Sequence, residues 1–287
     1  MMALDDLRAS FARVTAGGDA ADLARGALVI ARIAHPTLAP EPTLAALDAL
    51  ADAVRERLDP ADSLAERATV LTRYLFEECG YQGNRDDYYD PRNSFLNDVL
   101  ERRLGIPITL GLVLLEVGNR AGIPLEGVGF PGHFLVRVVG TAEPVLLDPF
   151  FGGRQIGYDE LKERLRAFYS ASGAPSGSNM QRALPQALQT AGPLGILSRM
   201  LGNLLAIYRE REAHESALAT VELLLVLWPD AADHLRIRGL LYEQLECFAS
   251  AVADFRRYLA LVPNASGAAE VRDHLQQLED VTTTTLH

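Results

Sequence analysis

The chain has 287 residues, of which 48% are hydrophobic and 23% charged, the composition of a globular protein with apolar residues enough for one large core or two modest ones. Acids outnumber bases 38 to 27, and the resulting net charge of −11 repels a phosphate backbone or an anionic leaflet at long range, so neither nucleic acid nor a membrane is expected as a partner. The opening MMALDDLRAS carries acids where a signal peptide carries bases, which points to the cytoplasm, and Cys79 and Cys247 form neither a disulfide framework nor a metal knuckle.

From Ala20 to Leu58 the apolar residues recur at helical spacing, with a break between Pro36 and Pro42, and this predicts two helices. A third is expected over Ser63–Glu78. Its opening SLAE has the pattern of a capping box, with Ser63 and Glu66 exchanging hydrogen bonds. The following GYQGNRDDYYDPRN, Gly80 to Asn93, has no sustained period and is rich in turn formers, so it is an irregular surface loop. A helix then starts at Asn93 or Ser94 and runs through Phe95, Val99 and Leu100 to the GIP step at Gly105–Pro107. The stretch from Ile108 to Ala121 is apolar nearly all round and is expected to be the central helix of its domain.

After Gly122 the period changes. Leu125–Phe130, His133–Val139 and Val145–Asp148 are short β-branched or aromatic runs divided by turn residues, a hairpin signature. Helices followed by an antiparallel sheet mean an α+β fold. The Ala, Ser, Gly, Pro and Gln-rich stretch that follows sets a linker at 171–193, between a first domain at 1–170 and a second at 194–280, with a frayed tail at 281–287. In the second domain a shift of 34 residues lays Tyr208 on Tyr242, Ala217 on Ala251, Val221 on Phe255, Leu225 on Leu259, Leu227 on Leu261 and Pro229 on Pro263. That is the period of a tetratricopeptide helix pair, and about two units plus a final helix over Ala265–Leu278 fit.

A turn centred between Gly140 and Thr141 would pair residues whose numbers sum to 281, setting His133 directly opposite Asp148. An imidazole beside a carboxylate near the start of a buried helix is the arrangement of a thiol active site that lacks only its thiol. The run NSFLNDVLERRLGIPITLGLVLLEVGNRAGIPLEGVGFPGHFLVRV, followed by VLLDPF, resembles the transglutaminase-like core of the SirB1 family, bacterial proteins that join such a core to tetratricopeptide repeats. The resemblance implies a papain-like α+β domain of helices and antiparallel sheet followed by an all-α repeat domain.

Where an active core of this kind reads Gly-Val-Cys, this chain has Gly105-Ile106-Pro107. Pro107 thus stands at the nucleophile position, while His133 and Asp148 match the other two members of the triad. This favours a non-catalytic scaffold that binds protein or peptide through its cleft and repeat groove. The alternative is a hydrolase or acyl-transfer enzyme that uses the dyad with water or with Thr109, whose other role would be helix capping. Asn93 and Asn97 are candidates for lining the cleft, although capping or loop pinning would account for Asn93 equally well. Cys79 is expected to be a partly buried structural cysteine. His35, His133, His214, His234, His274 and His287 show no ligand spacing with an acid beside them, so no metal is expected, and with no phosphate loop no cofactor is either.

Overall fold

The computed structural model of the chain describes residues 4–171 and 180–284. Helix α1 (Leu4–Thr15) is followed by α2 (Leu23–Ala31) and α3 (Pro40–Arg55), with the predicted Pro-rich break between the last two. Helix α4 (Leu64–Thr72) begins with the capping box read from the sequence: the Ser63 hydroxyl accepts from the Glu66 amide, and the Glu66 carboxylate accepts from the Ser63 amide at 2.8 Å. It continues as a π-helical turn over Arg73–Glu78. Two very short parallel strands, β1 (Gln82–Gly83) and β2 (Leu104–Gly105), flank α5 (Leu96–Arg102).

The central helix α6 (Pro107–Arg120) is buried on almost every side. It is followed by β3 (Leu125–Val128), β4 (Leu135–Val138), β5 (Val145–Asp148) and β6 (Arg154–Gln155), then α7 (Tyr158–Ala171), α8 (Met180–Ala187) and β7 (Thr190–Ala191). The strands form one antiparallel sheet in the order β6-β5-β4-β3-β7. Helix α6 packs on one face, where Gly111 leaves room for the buried Phe134 ring and Gly118 leaves room for Leu125. On the other face Val128, Leu135 and Leu146 join Leu161 and Leu165 of α7 and Ala183, Leu184 and Ala187 of α8 in one core cluster. Of the stretch 171–193, expected to be a linker, the described residues 180–191 supply core residues and an edge strand. Alanine and leucine at 183, 184 and 187 make a narrow apolar stripe that a composition average conceals. Of that stretch, residues 172–179 lie outside the described residues.

The remaining helices are α9 (Pro193–Glu210), α10 (His214–Leu227), α11 (Ala232–Gln244), α12 (Phe248–Leu261) and α13 (Ala268–Thr284). The bounds of α10 and α12 differ by the 34 residues of the repeat. Ala217 and Ala251 are buried where paired helices approach closely, and Gly239 makes room for the ring of Phe255. Arg238 joins the repeat internally, donating to Asp254 through two nitrogens at 2.6 Å and to Glu222 at 3.0 Å. Part of the expected frayed tail, up to Thr284, lies in α13, and residues 285–287 lie outside the described ones.

By their contacts the residues form two compact units, one of Gly17–Ala31 and Leu38–Met200, the other of Met1–Ala16, Arg32–Thr37 and Leu201–His287. The N-terminal helix α1 belongs to the second, where Leu7 and Phe11 are buried and Arg8 reaches the buried Glu222 at 3.2 Å. From its place in the chain this segment was expected in the first domain, and its helix was not expected.

Candidate functional site

His133 and Asp148 meet, though by a different register from the one expected. Strands β4 and β5 pair residues summing to 283, Val136 with Leu147 and Val138 with Val145, so the turn centre lies one residue later than Gly140–Thr141. His133 precedes β4, in the bend after Pro131-Gly132, and Gly132 there has a φ of +68°. A slip of two in the sum keeps each side chain on its own face, so the imidazole still reaches the carboxylate diagonally: His133 Nε2 lies 2.8 Å from Asp148 Oδ1.

Asp148 is fully buried, and its second oxygen accepts from Arg164 Nη1 at 2.8 Å. Burial pushes its carboxyl upward. The hydrogen bonds and charges of His133 and Arg164 outweigh that effect and hold it below the ordinary carboxylate value. Arg164, on α7, is shared with Glu160, which also pairs with Arg154; bonds from these two guanidiniums bring Glu160 down to about 2. Sequence reasoning missed Arg164. The signal available was E-x-x-x-R at Glu160–Arg164, one turn apart on an amphipathic helix, which by itself reads as an ordinary surface pair.

Aromatic rings surround the imidazole. Phe150 stands perpendicular to it at 6.3 Å and Phe151 is tilted at 6.1 Å, and the chain of edge contacts continues from Phe150 to Tyr88 and on to Tyr89. Tyr88, Tyr89 and Phe151 are exposed, three of the few large hydrophobic residues that are. The guanidiniums of Arg85 and Arg164 lie over the Phe151 ring, 4.9 and 5.1 Å from its centre.

The residues before α6 hold the loop rather than the dyad. Asn93 is fully buried; its amide donates to the carbonyls of Asp87 and Tyr88 at 2.7 and 3.2 Å and its oxygen accepts from Asn84 at 3.1 Å. These bonds pin the loop at Asp87 and Tyr88. Asn97 donates to Asp98 at 2.9 Å on α5. Pro107 occupies the first turn of α6, where a missing N–H removes no helical hydrogen bond and the fixed φ suits the helix.

Thr109, weighed as a nucleophile, is fully buried, and its hydroxyl donates to the Asn93 carbonyl at 2.6 Å while accepting from the Ile106 amide at 3.1 Å. Its single proton is committed, and the residue works as a cap tying α6 to the segment before α5. Cys79 is half-buried at the end of the π turn and interacts with the Tyr74 hydroxyl. Among the described residues no hydrogen bond joins either side chain to His133, and no group of three His, Cys, Asp or Glu is placed to hold a metal ion.

Comparison with known proteins identifies the family of both parts of the chain. The transglutaminase-like superfamily matches residues 41–202, and the tetratricopeptide repeat matches residues 204–276. The chain belongs to the SirB1 family of transglutaminase-like proteins. A UPF0162 protein of Xylella fastidiosa (strain Temecula1) is 40% identical over 254 residues, 88% of this chain and 89% of the relative. A UPF0162 protein of Vibrio cholerae is 30% identical over 94% of this chain and 97% of its own length. F-box only protein 21 of Homo sapiens is 30% identical over 69% of this chain, but the match spans only 32% of that larger protein. No solved structure matches. The likeness to the SirB1 family covers both the α+β core and the repeats, and no described helix is long and apolar enough to cross a membrane.

Proposed function

We propose that this member of the SirB1 family is a binding protein, a transglutaminase-like core without its covalent step that holds a peptide or protein segment beside His133, with the helical repeat offering a second contact. What supports the reading is Pro107 at the first position of α6, where the resemblance puts the nucleophile, on a helix whose nearby Thr109 hydroxyl is bonded to backbone partners. The aromatic surface supports it: exposed Tyr and Phe next to arginine is the composition of contact hot spots rather than of ordinary solvent-facing surface. The loop that presents Tyr88 and Tyr89 is pinned by Asn93, so little ordering is needed when a partner arrives.

A rival reading, hydrolysis through water activated by the dyad, is favoured by the 2.8 Å bond between His133 and Asp148. One experiment separates the two. The full chain, carrying a photo-crosslinking residue at Tyr89 or, as control, at exposed Trp228, is irradiated in bacterial cells, and the purified chain is assayed on peptide, amide and ester substrates. The binding reading expects discrete adducts at Tyr89 that differ from those at Trp228, and no turnover sensitive to His133→Ala. Turnover abolished by His133→Ala in a folded variant would establish the rival, and adducts identical at the two positions would remove the site.

A further inference from the structure

Beside the dyad, a cleft of about 590 Å³ opens between the segment 82–86 and the turn that follows β5, with Leu104, Phe150 and Phe151 as its apolar walls and Arg85, Asp86 and Arg154 as its charged ones. The bases around Phe151 are not alike. Arg164 is matched by Asp148 and Glu160, and Arg154 by Glu160. Arg85 lies over the ring of Phe151 and forms no ion pair among the described residues, in a chain with 38 acids to 27 bases. Asp86, the one acid lining the cleft, leaves it unpaired too.

A guanidinium stacked on a ring uses its face; its N–H groups lie in the plane of the fork and point outward, ready to meet the two oxygens of a carboxylate. The ring beneath it excludes water from one side and strengthens such a pair over one formed in bulk solvent. The backbone supports the arrangement: Gly83 lets Phe150 approach where any Cβ would collide with its ring and carbonyl, and Gly152, at φ +76°, takes the left-handed conformation that ends the turn carrying Phe150 and Phe151. One unneutralised guanidinium matches a monoanion. A nucleic-acid strand, with a charge at every phosphate, would meet the net −11 of the whole chain as well.

We propose that this cleft binds a peptide carboxylate, either the free C-terminus of a chain or an Asp or Glu side chain, with Arg85 pairing the carboxylate and the apolar walls at Leu104 and Phe150 taking the neighbouring side chain. The inference rests on the binding reading above and specifies the chemistry of the ligand. It also gives Asp86 a role: its negative charge opposes the ligand and lowers affinity.

Arrays of random hexapeptides in three forms test it: free carboxyl termini without internal acids, amide-capped neutral sequences, and amide-capped sequences with one Asp or Glu. They are probed with the full chain and with its Arg85→Gln, Arg85→Lys and Asp86→Asn variants, each checked for unchanged melting temperature. Retention should be on the order of tenfold higher on one or both carboxylate forms than on the neutral form. It should fall by a similar factor in Arg85→Gln, fall by a smaller one in Arg85→Lys, which keeps the charge but neither the fork nor the stacking plane, and rise in Asp86→Asn, and the form retained tells terminus from side chain. Binding that is equal on neutral peptides, or indifferent to Arg85→Gln, overturns the carboxylate assignment while leaving the Tyr89 crosslinks standing. Failure of all three forms to bind also overturns it, and loss of the crosslinks as well removes the binding reading itself.

Discussion

Asp148 is the residue on which the site's geometry turns, because it is fully buried and holds His133 with one oxygen and Arg164 with the other. Its carboxyl titrates below the unfolded value near 3.8, so its pairing stabilises the fold fully above that value and is lost as the pH falls through the lower folded one. Asp148→Asn should therefore destabilise the protein at pH 7 by about 2–3 kcal/mol. That is below the usual range for breaking a buried pair, because Arg164 keeps Glu160 and some solvent. The gap between wild type and variant should narrow as the pH drops below about 4. Thermal melts of both proteins between pH 7 and 2.5 measure this, and a gap constant over the whole range would contradict the pairing. The residues of this site were unequally legible. His133 and Asp148 follow turn signals that place them at adjacent strand ends, but Arg164 comes from a helix beyond the hairpin, where sequence spacing carries no information about which strand end lies beneath it. Thr109 was ambiguous because a hydroxyl at the start of a helix serves either chemistry or capping, and the sequence does not place the Asn93 carbonyl and Ile106 amide that it bonds.

At the scale of elements, α6 positions the site by what its glycines leave out. A methyl group at Gly111 would fall inside the van der Waals contact of the Phe134 ring, and Phe134 is the residue next to His133. Helix propensity favours Gly111→Ala by about 1 kcal/mol, whereas overpacking a fully buried ring costs about 1–3 kcal/mol. Packing should win, and denaturant titration should show Gly111→Ala to be less stable than wild type; a more stable variant would mean that the ring has room to move. The all-round apolar character of α6, the hairpin runs and the 34-residue shift were readable because each is a periodic pattern sustained over many residues. The short edge strands β6 and β7 and the helix α8 were not. Two residues make no period, and the apolar stripe of α8 is diluted by its Ser, Gly and Pro-rich neighbours. The turn between β4 and β5 was misplaced by one residue, since Gly140 and Pro144 bracket several equivalent centres and only ladder geometry selects one.

At the scale of the whole molecule, the two compact units are not two consecutive stretches of chain. Helix α1 packs with the C-terminal helices, burying Leu7 and Phe11 and setting Arg8 on Glu222. Deleting residues 1–16 should weaken the C-terminal unit by about 3–5 kcal/mol, from the two lost apolar side chains and the uncovered carboxylate. Hydrogen exchange in α10 would report it, and unchanged protection there would show that α1 contributes nothing. This non-contiguous unit also sets an order of events during synthesis. The first helix leaves the ribosome with its apolar stripe unmatched, and the surface that covers it does not exist until translation has passed His214. At roughly 5–20 residues per second that is a wait of about 10–40 s. Meanwhile most of the transglutaminase-like core, including the dyad and the cleft beside it, emerges first and can close ahead of the repeat.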